Sequence, residues 1–472
     1  MAALAILVTC AAIGGILLGE LGARNEPATP VFPKPALVHA TQAAYPLRVS
    51  ANKRYLVDRN NAPFLIVGDS PQSMIVNLST ADAEAFLADR RAAGFNALWV
   101  NLLCDTYTGG RSDGATYDGI RPFSTTGDLS TPNDAYFNRA DDMIWLAAKY
   151  GFVVFLDPIE TGGWLQVLRT NGQAKDYNFG LYLGKRYRRF PNIVWMSGND
   201  FQTWRHPGDD AVAQAVARGI RAADPQQLQT VELDYNVSGS LDDPTWAPLV
   251  DLNAAYTYYP TYADVLREYN RPSYKPTFMV EANYEFEHNT SFAYGSPQIL
   301  RRQEYWTMLS GVTGQFYGNH YTWQFISDWK KNLDTVGSAQ MTLMRNLFIQ
   351  RAWYRLIPDQ HHTVVTTGYG TFTSSGNLSD SDYATAARTP DGSLAMVYVP
   401  TLRTITVDMS KMSGRTLARW YDPTNGRYTT ISGSPFANRG MKEFTPPGNN
   451  GSGDGDWILV LERSTGPAPR QR

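Results

Sequence analysis

Eight short apolar stretches, most of them separated by room for a helix, constrain this chain more than any other feature. They are Phe64–Gly68, Ala97–Leu102, Phe152–Asp157, Ile193–Ser197, Gln229–Leu233, Leu252–Tyr256, Thr277–Glu281 and Gly314–Gly318. Each is apolar through its length rather than alternating, as strands buried on both faces are. Helix signals lie between them. Ser79-Thr-Ala-Asp82 supplies a cap and an acid, Asn133 or Asp134 opens a helix that Gly151 stops, Asp209 to Ala223 ends before Pro225, and Ser296 to Leu309 stops at Gly311. Alternating strands and helices predict a parallel α/β fold, and eight strands predict a closed (β/α)8 TIM barrel. An open doubly wound sheet usually carries a glycine-rich phosphate turn, and none is present.

The rhythm changes near Pro358 to His362. Short alternating strands follow at Leu394–Val399, Thr404–Asp408, Thr416–Tyr421, Tyr428–Ile431 and Trp457–Glu462, parted by turns such as Asp391-Gly392 and Asn425-Gly426. These predict a small C-terminal β-sandwich. The expected organisation is a leader or anchor over 1–23, a Pro- and Ala-rich linker over 24–45, the barrel over 46–360, the sandwich over 361–463 and a tail over 464–472. The apolar run up to Leu18, followed by Leu21-Gly-Ala23, reads as a signal peptide, although no Lys or Arg precedes it. The expected location is therefore secreted, periplasmic or at the cell surface, with no membrane span once the leader is cleaved. A retained anchor is the rival, and Val8-Thr9-Cys10 is only a poor lipidation box.

A formal net charge of -2, with no basic surplus, argues against nucleic acid as a partner. The two cysteines, Cys10 and Cys104, leave one thiol after leader removal and so no intrachain disulfide. The six histidines are dispersed and show no metal-ligand spacing, so neither a metal nor a cofactor is expected.

Two strand-end acids carry the chemistry. Asp200 closes Asn192-Ile-Val-Trp-Met-Ser-Gly-Asn-Asp200 after the fourth strand, and Glu281 closes Thr277-Phe-Met-Val-Glu281, the seventh. In a barrel both reach the C-terminal mouth, where barrel enzymes keep their active sites. A facing pair of carboxyls there is the arrangement that glycoside hydrolysis needs, with Asp200 as acid/base and Glu281 as nucleophile. Glu285 is the rival nucleophile, and Glu160 after the third strand is expected to line the cleft.

Several stretches resemble the apiosidase-like group, glycoside hydrolase family 140. They include Gly68-Asp69-Ser70, Leu183-Gly-Lys-Arg-Tyr187, Pro191-Asn-Ile-Val-Trp195, Gly198-Asn-Asp200, Lys275-Pro276 with Glu281, Tyr284-Glu285, and Gly311 to Trp323. Arg419-Trp-Tyr-Asp-Pro423 and Asp456-Trp-Ile-Leu459 resemble the module, labelled collagen-binding, that follows such barrels. The label is not taken to make collagen a partner. The resemblance spans about residues 46–463 and implies a retaining mechanism, with the roles just given to Asp200 and Glu281. Three positions depart from the family. Gly198-Asn199-Asp200 replaces Gly-Gly-Asp, Asp69-Ser70-Pro71-Gln72 replaces Asp-Thr-Ala-Trp, and Ala255-Tyr-Thr-Tyr-Tyr-Pro260 replaces a His- or Gln-rich segment. These differences bear on apiose as the substrate more than on glycosidase activity. An Asn before the acid is similar to the wider barrel-glycosidase superfamily, where it bonds a sugar hydroxyl.

Tyr258 is expected to donate a hydrogen bond to the nucleophile. Asp69, Asn101 and Asn199 are expected to bind sugar hydroxyls, and Trp323 to floor the subsite by stacking. Two functions follow. One is a retaining glycosidase acting on a polysaccharide or oligosaccharide, with a furanoside among the candidates. The other is a non-catalytic carbohydrate-binding or adhesion protein on a barrel scaffold.

Overall fold

The computed structural model describes residues 34–38, 41–202, 206, 208–289 and 294–464. The predicted leader over 1–23 lies outside these residues, as does all of the tail except Ser464. Of the predicted linker, residues 34–38 and 41–45 run along the barrel wall. Lys34 pairs with Asp89, the Val38 amide donates to Asn346 Oδ1 at 3.1 Å, and Asn346 Nδ2 donates to the Ala36 carbonyl at 2.9 Å.

Eight parallel strands form the barrel: β1 (Ile66–Asp69), β2 (Ala97–Asn101), β3 (Val153–Asp157), β4 (Ile193–Phe201), β5 (Gln229–Leu233), β6 (Asn253–Thr257), β7 (Thr277–Glu281) and β8 (Gly314–Tyr317). Their order runs β5-β4-β3-β2-β1-β8-β7-β6, with β8 paired to β1. The seam between β5 and β6 is stitched rather than laddered, because a short strand, Val237–Gly239, adds antiparallel to β6. Ser240 bridges the gap there: its hydroxyl donates to the Val231 carbonyl at 2.5 Å and accepts the Ala254 amide at 2.8 Å. The Asp251 amide also reaches the Gln229 carbonyl at 2.7 Å. The eight-strand expectation is met, with two strands exact and the boundaries of the others shifted by at most four residues. Phe64 belongs to a small antiparallel sheet (48–49, 56–57, 63–64), not to β1. Leu56 and Phe64 of that sheet join the barrel interior with Trp99, Phe155, Phe278 and Phe316. The hairpin thereby plugs the N-terminal end of the barrel.

Helices α1 (Thr80–Ala92), α2 (Asp134–Lys149), α3 (Thr161–Tyr187), α4 (Asp209–Ala223), α5 (Thr261–Tyr269), α6 (Pro297–Leu309) and α7 (Val336–Ile349) wrap the sheet. Ser79, Asn133, Ser296 and Thr335 cap their helices by accepting backbone amides, the local reason these helices begin where they do. The sequence signals found four of the seven. α3 carries two glycines in its first turn and a non-helical Gly172 inside, which hides it.

The C-terminal domain has a six-stranded sheet ordered 357–358, 385–388, 394–399, 457–463, 416–421 and 428–430, and a three-stranded sheet of 365–367, 405–408 and 441–444. Ala395, Val397 and Val399 face the second sheet, while Leu394, Met396 and Tyr398 pack into the barrel's outer core. Strand 394–399 is therefore buried on both faces. Fully buried Arg301 of α6 pairs with Asp456 at 2.8 Å, and Arg302 donates to the carbonyls of Leu378 and Ser381 at 2.6 and 2.8 Å. The sandwich is docked on α6 and α7 by a continuous core.

Candidate active site

Regular strand alternation would not bring Glu281 to the mouth. In β7, Phe278 and Val280 point into the barrel and Met279 points out toward the helices. Strict alternation would send Glu281 outward with Met279. The register against β6 breaks here: Ala255 pairs with Met279, but Tyr256 pairs with Glu281. That extra residue is a β-bulge, and a bulge re-aims the side chain that follows it. Glu281 consequently turns inward, only 7% exposed.

β4 makes a larger detour. Ser197 pairs with Val231 and Phe201 with Leu233, so four steps on β4 match two on β5. The surplus is Gly198-Asn199-Asp200, with φ of 122°, 74° and 58°. Asn and Asp tolerate the left-handed region, at a cost of order 1–3 kcal/mol each. Gly198 is required on a second ground, because a Cβ there would collide with the Glu232 carbonyl oxygen. The detour leaves Asp200 partly exposed at the rim.

Tyrosines hold both carboxyls. Glu281 Oε1 accepts the Tyr256 hydroxyl at 2.8 Å and a very short bond from Tyr258, and Oε2 accepts Tyr284 at 2.8 Å. Burial pushes the Glu281 carboxyl up to about 8, and the charge of Asp200 adds to the rise, while the three hydroxyl donors pull against both. Asp200 Oδ2 accepts the Tyr107 hydroxyl. The Tyr107 ring lies over the first turn of α3, where only a glycine fits, since a Cβ on Gly162 would strike the ring. A cavity of about 420 Å³ opens beside Asp200, lined by Tyr107, Gly162, Arg169, His206 and Tyr235. A larger cavity of about 570 Å³ sits at the opposite end of the barrel, among Arg54, Tyr269, Tyr274 and Trp353. It contains no carboxyl, and its aromatics are packed on Arg54 and on each other. Of the two, only the smaller cavity is lined by one of the paired acids, Asp200, and Glu281 lies outside its lining.

The other predicted residues divide. Tyr258 contacts Glu281, as its position in the sequence leads one to expect. Trp323 lies nearby, edge-on to Tyr284 at 6.4 Å, with its indole N–H donating to Glu287 at 2.7 Å. Asn199 stands in the bulge. Asn101 is fully buried, and its Nδ2 donates to Asn199 Oδ1 at 2.9 Å, so it supports Asn199 rather than meeting sugar directly. Asp69 needs correction. It has no exposed surface, its Oδ2 is paired with buried Arg90, and its Oδ1 accepts the Ser70 amide at 2.7 Å. The strand end that carries it points to the helix layer, not to the cleft. Glu285 is equally committed. It accepts Thr335 Oγ1 at 2.6 Å, the Gly337 amide at 2.9 Å and the Tyr317 hydroxyl, anchoring the start of α7. Glu160 is buried beneath the cleft instead of lining it, and burial together with Asp105 raises it to about 10. Cys104 is a packed core thiol.

Residue-pattern reasoning missed Tyr107, Tyr256 and Glu232, and took Tyr284 only as part of a family stretch. Glu232 had a legible signal, an acid inside the apolar strand Gln229–Leu233. Tyr107 had none, being in a one-turn 3-10 helix within a long loop. Among the described residues no group of three or more His, Cys, Asp and Glu could hold a metal ion, and no helix is long and apolar enough to cross a membrane.

A family model described as "Apiosidase-like, catalytic domain" matches residues 50–355, well over half of the chain. The chain belongs to the apiosidase-like family. As an apiosidase-like protein it is a glycoside hydrolase. A second model, "Putative collagen-binding domain of a collagenase", matches residues 372–462 of this apiosidase-like chain. A solved structure described as "Glycoside hydrolase" is similar at 23% identity and a TM-score of 0.77, over 90% of this chain and 98% of its own. A family 5 glycoside hydrolase from Bacteroides vulgatus is similar at 23% identity and a TM-score of 0.74, over 89% and 94%. These likenesses establish the fold. No curated protein matches the sequence significantly.

Proposed function

We propose that the protein is a retaining glycoside hydrolase that works by double displacement on a polysaccharide or oligosaccharide. Asp200 gives its proton to the leaving oxygen while the Glu281 carboxylate attacks the anomeric carbon. The glycosidic C–O bond breaks and a glycosyl ester forms on Glu281. Asp200, now a carboxylate, takes a proton from water as the water oxygen attacks the same carbon, freeing Glu281 and releasing the sugar.

The observation that carries this reading is the trio of tyrosine hydroxyls on Glu281. Three donors favour the charged form against the burial and the Asp200 charge that raise it, and they fix the carboxyl in place, so Glu281 is the acid suited to attack. Asp200, at the more open rim beside the cavity, is suited to meet a leaving group. On this reading Asn199 meets the substrate by hydrogen bonding and Trp323 by stacking. Family membership makes a furanoside the first substrate to try. The leader read in residues 1–23 would carry the protein out of the cytoplasm, to where polymeric carbohydrate is met.

A panel of aryl glycosides and plant or microbial polysaccharides, offered to the wild type, Asp200→Ala and Glu281→Ala, tests the proposal. Turnover by the wild type and its collapse in both folded variants are expected. Unchanged hydrolysis in either variant would overturn the assignment.

A further inference from the structure

We propose that Glu232 is a positioning residue for the acid/base step: its side chain clamps the Gly198–Asp200 bulge and fixes where Asp200 meets the leaving oxygen. The inference rests on the retaining reading above and adds a third carboxyl to it.

Glu232 lies near the end of β5, between Val231 and Leu233, both of which pack outward into the helix layer. It therefore points inward, and it has no exposed surface. Its Oε2 accepts the backbone N–H of Asp200 at 3.1 Å, and its own carbonyl lies against Gly198. Tyr107 holds the Asp200 side chain, and further contacts hold the rest of the bulge. Thr161 Oγ1 donates to the Gly198 carbonyl at 2.5 Å, and Asn101 holds the Asn199 side chain at 2.9 Å. A backbone held in the left-handed region persists only when its surroundings over-determine it. Glu232 bears directly on the Asp200 backbone. Burial, with the charges of Glu281 and Asp200, pushes the Glu232 carboxyl well above the ordinary range. Its Oε1 is buried without a hydrogen-bond partner, a cost a purely structural position would shed by becoming apolar.

The test uses the full chain and two aryl glycosides of a sugar it hydrolyses, with 2,4-dinitrophenol or phenol as leaving group. Dinitrophenolate departs without protonation, so only the phenyl glycoside depends on the acid. In Glu232→Met, kcat/KM should fall about 10²-fold on the phenyl glycoside and less than about fivefold on the dinitrophenyl one. Glu232→Gln keeps an acceptor for the Asp200 amide and should restore the phenyl glycoside to within about tenfold of wild type. Equal losses on both substrates in Glu232→Met, or a Gln variant as impaired as Met, would overturn the proposal. If Glu232→Met does not fold, Glu232→Gln decides. A loss on the phenyl glycoside that clearly exceeds the loss on the dinitrophenyl one supports the clamp, and wild-type values or equal losses on both substrates refute it. Asp200→Ala runs beside them. Should it show no leaving-group split, the acid/base reading fails and Glu232 falls with it. Should it split while Glu232→Met does not, only the Glu232 assignment falls.

Discussion

Strands β4 and β7 each end in an acid, and each departs from regular geometry to present it, but by different means. β7 uses one extra residue, has no positive φ at Glu281, and sinks the carboxyl among three tyrosines. β4 uses two extra residues, three consecutive positive φ angles and a glycine-tight contact with β5, and it leaves Asp200 at the rim with Tyr107. The difference fits the work proposed for each. A nucleophile forms a bond at one fixed point and gains from a rigid, desolvated seat. An acid/base must exchange protons with a leaving group and then with water, so it needs access.

The contrast can be broken at several points. Glu281→Ala should lose about 10⁴-fold or more in kcat on every substrate, whatever its leaving group. Asp200→Ala should lose about 10²–10⁴-fold in kcat/KM, and only where the leaving group needs a proton, while kcat falls on both substrates because the base for the second step is gone. Steady-state kinetics on paired aryl glycosides reads both, and identical patterns would erase the distinction. Gly198→Ala tests the β4 detour alone. Its new Cβ meets the Glu232 carbonyl, so it should destabilise the fold by about 2 kcal/mol or more in denaturant titrations and lower activity through Asp200.

Tyr258→Phe tests the β7 seat. Its hydroxyl stabilises the Glu281 carboxylate and so lowers the Glu281 pKa. Removing it should move the acid limb of kcat/KM to higher pH, by about one unit or less, and cut kcat about tenfold. A limb that moves to lower pH would contradict the seat. The smallest effect is expected for Trp323→Ala, whose lost stacking face should raise KM about tenfold with little change in kcat.

Much of this was legible in the chain. Doubly buried parallel strands read as continuous apolar runs, so the barrel and the ordinals of the fourth and seventh strands could be counted from sequence. The two acids are visible because carboxylates are rare inside such runs. What could not be read was the direction Glu281 faces, or the detour that lifts Asp200 to the rim. A bulge changes only register, and neither Val280 nor Asn199 announces one by residue type. The same blindness misplaced Asp69. It too ends a barrel strand, but without an extra residue it faces the helices and pairs with Arg90, whose position on α1 no local pattern links to β1. Tyr256 and Tyr258 share a strand end and alternate in sequence, so finding one should have led to the other. Tyr107 arrives from a loop and is set by tertiary packing alone.

The most direct measurement is to trap the covalent intermediate with a 2-deoxy-2-fluoro glycoside of the hydrolysed sugar, bearing dinitrophenolate, and to map the labelled peptide by mass spectrometry. The label is predicted on Glu281, one per chain, in the peptide that spans the β7 bulge. A label on Glu285, Glu232 or Asp200, or slow turnover with release of the opposite anomer and no adduct, would contradict the account.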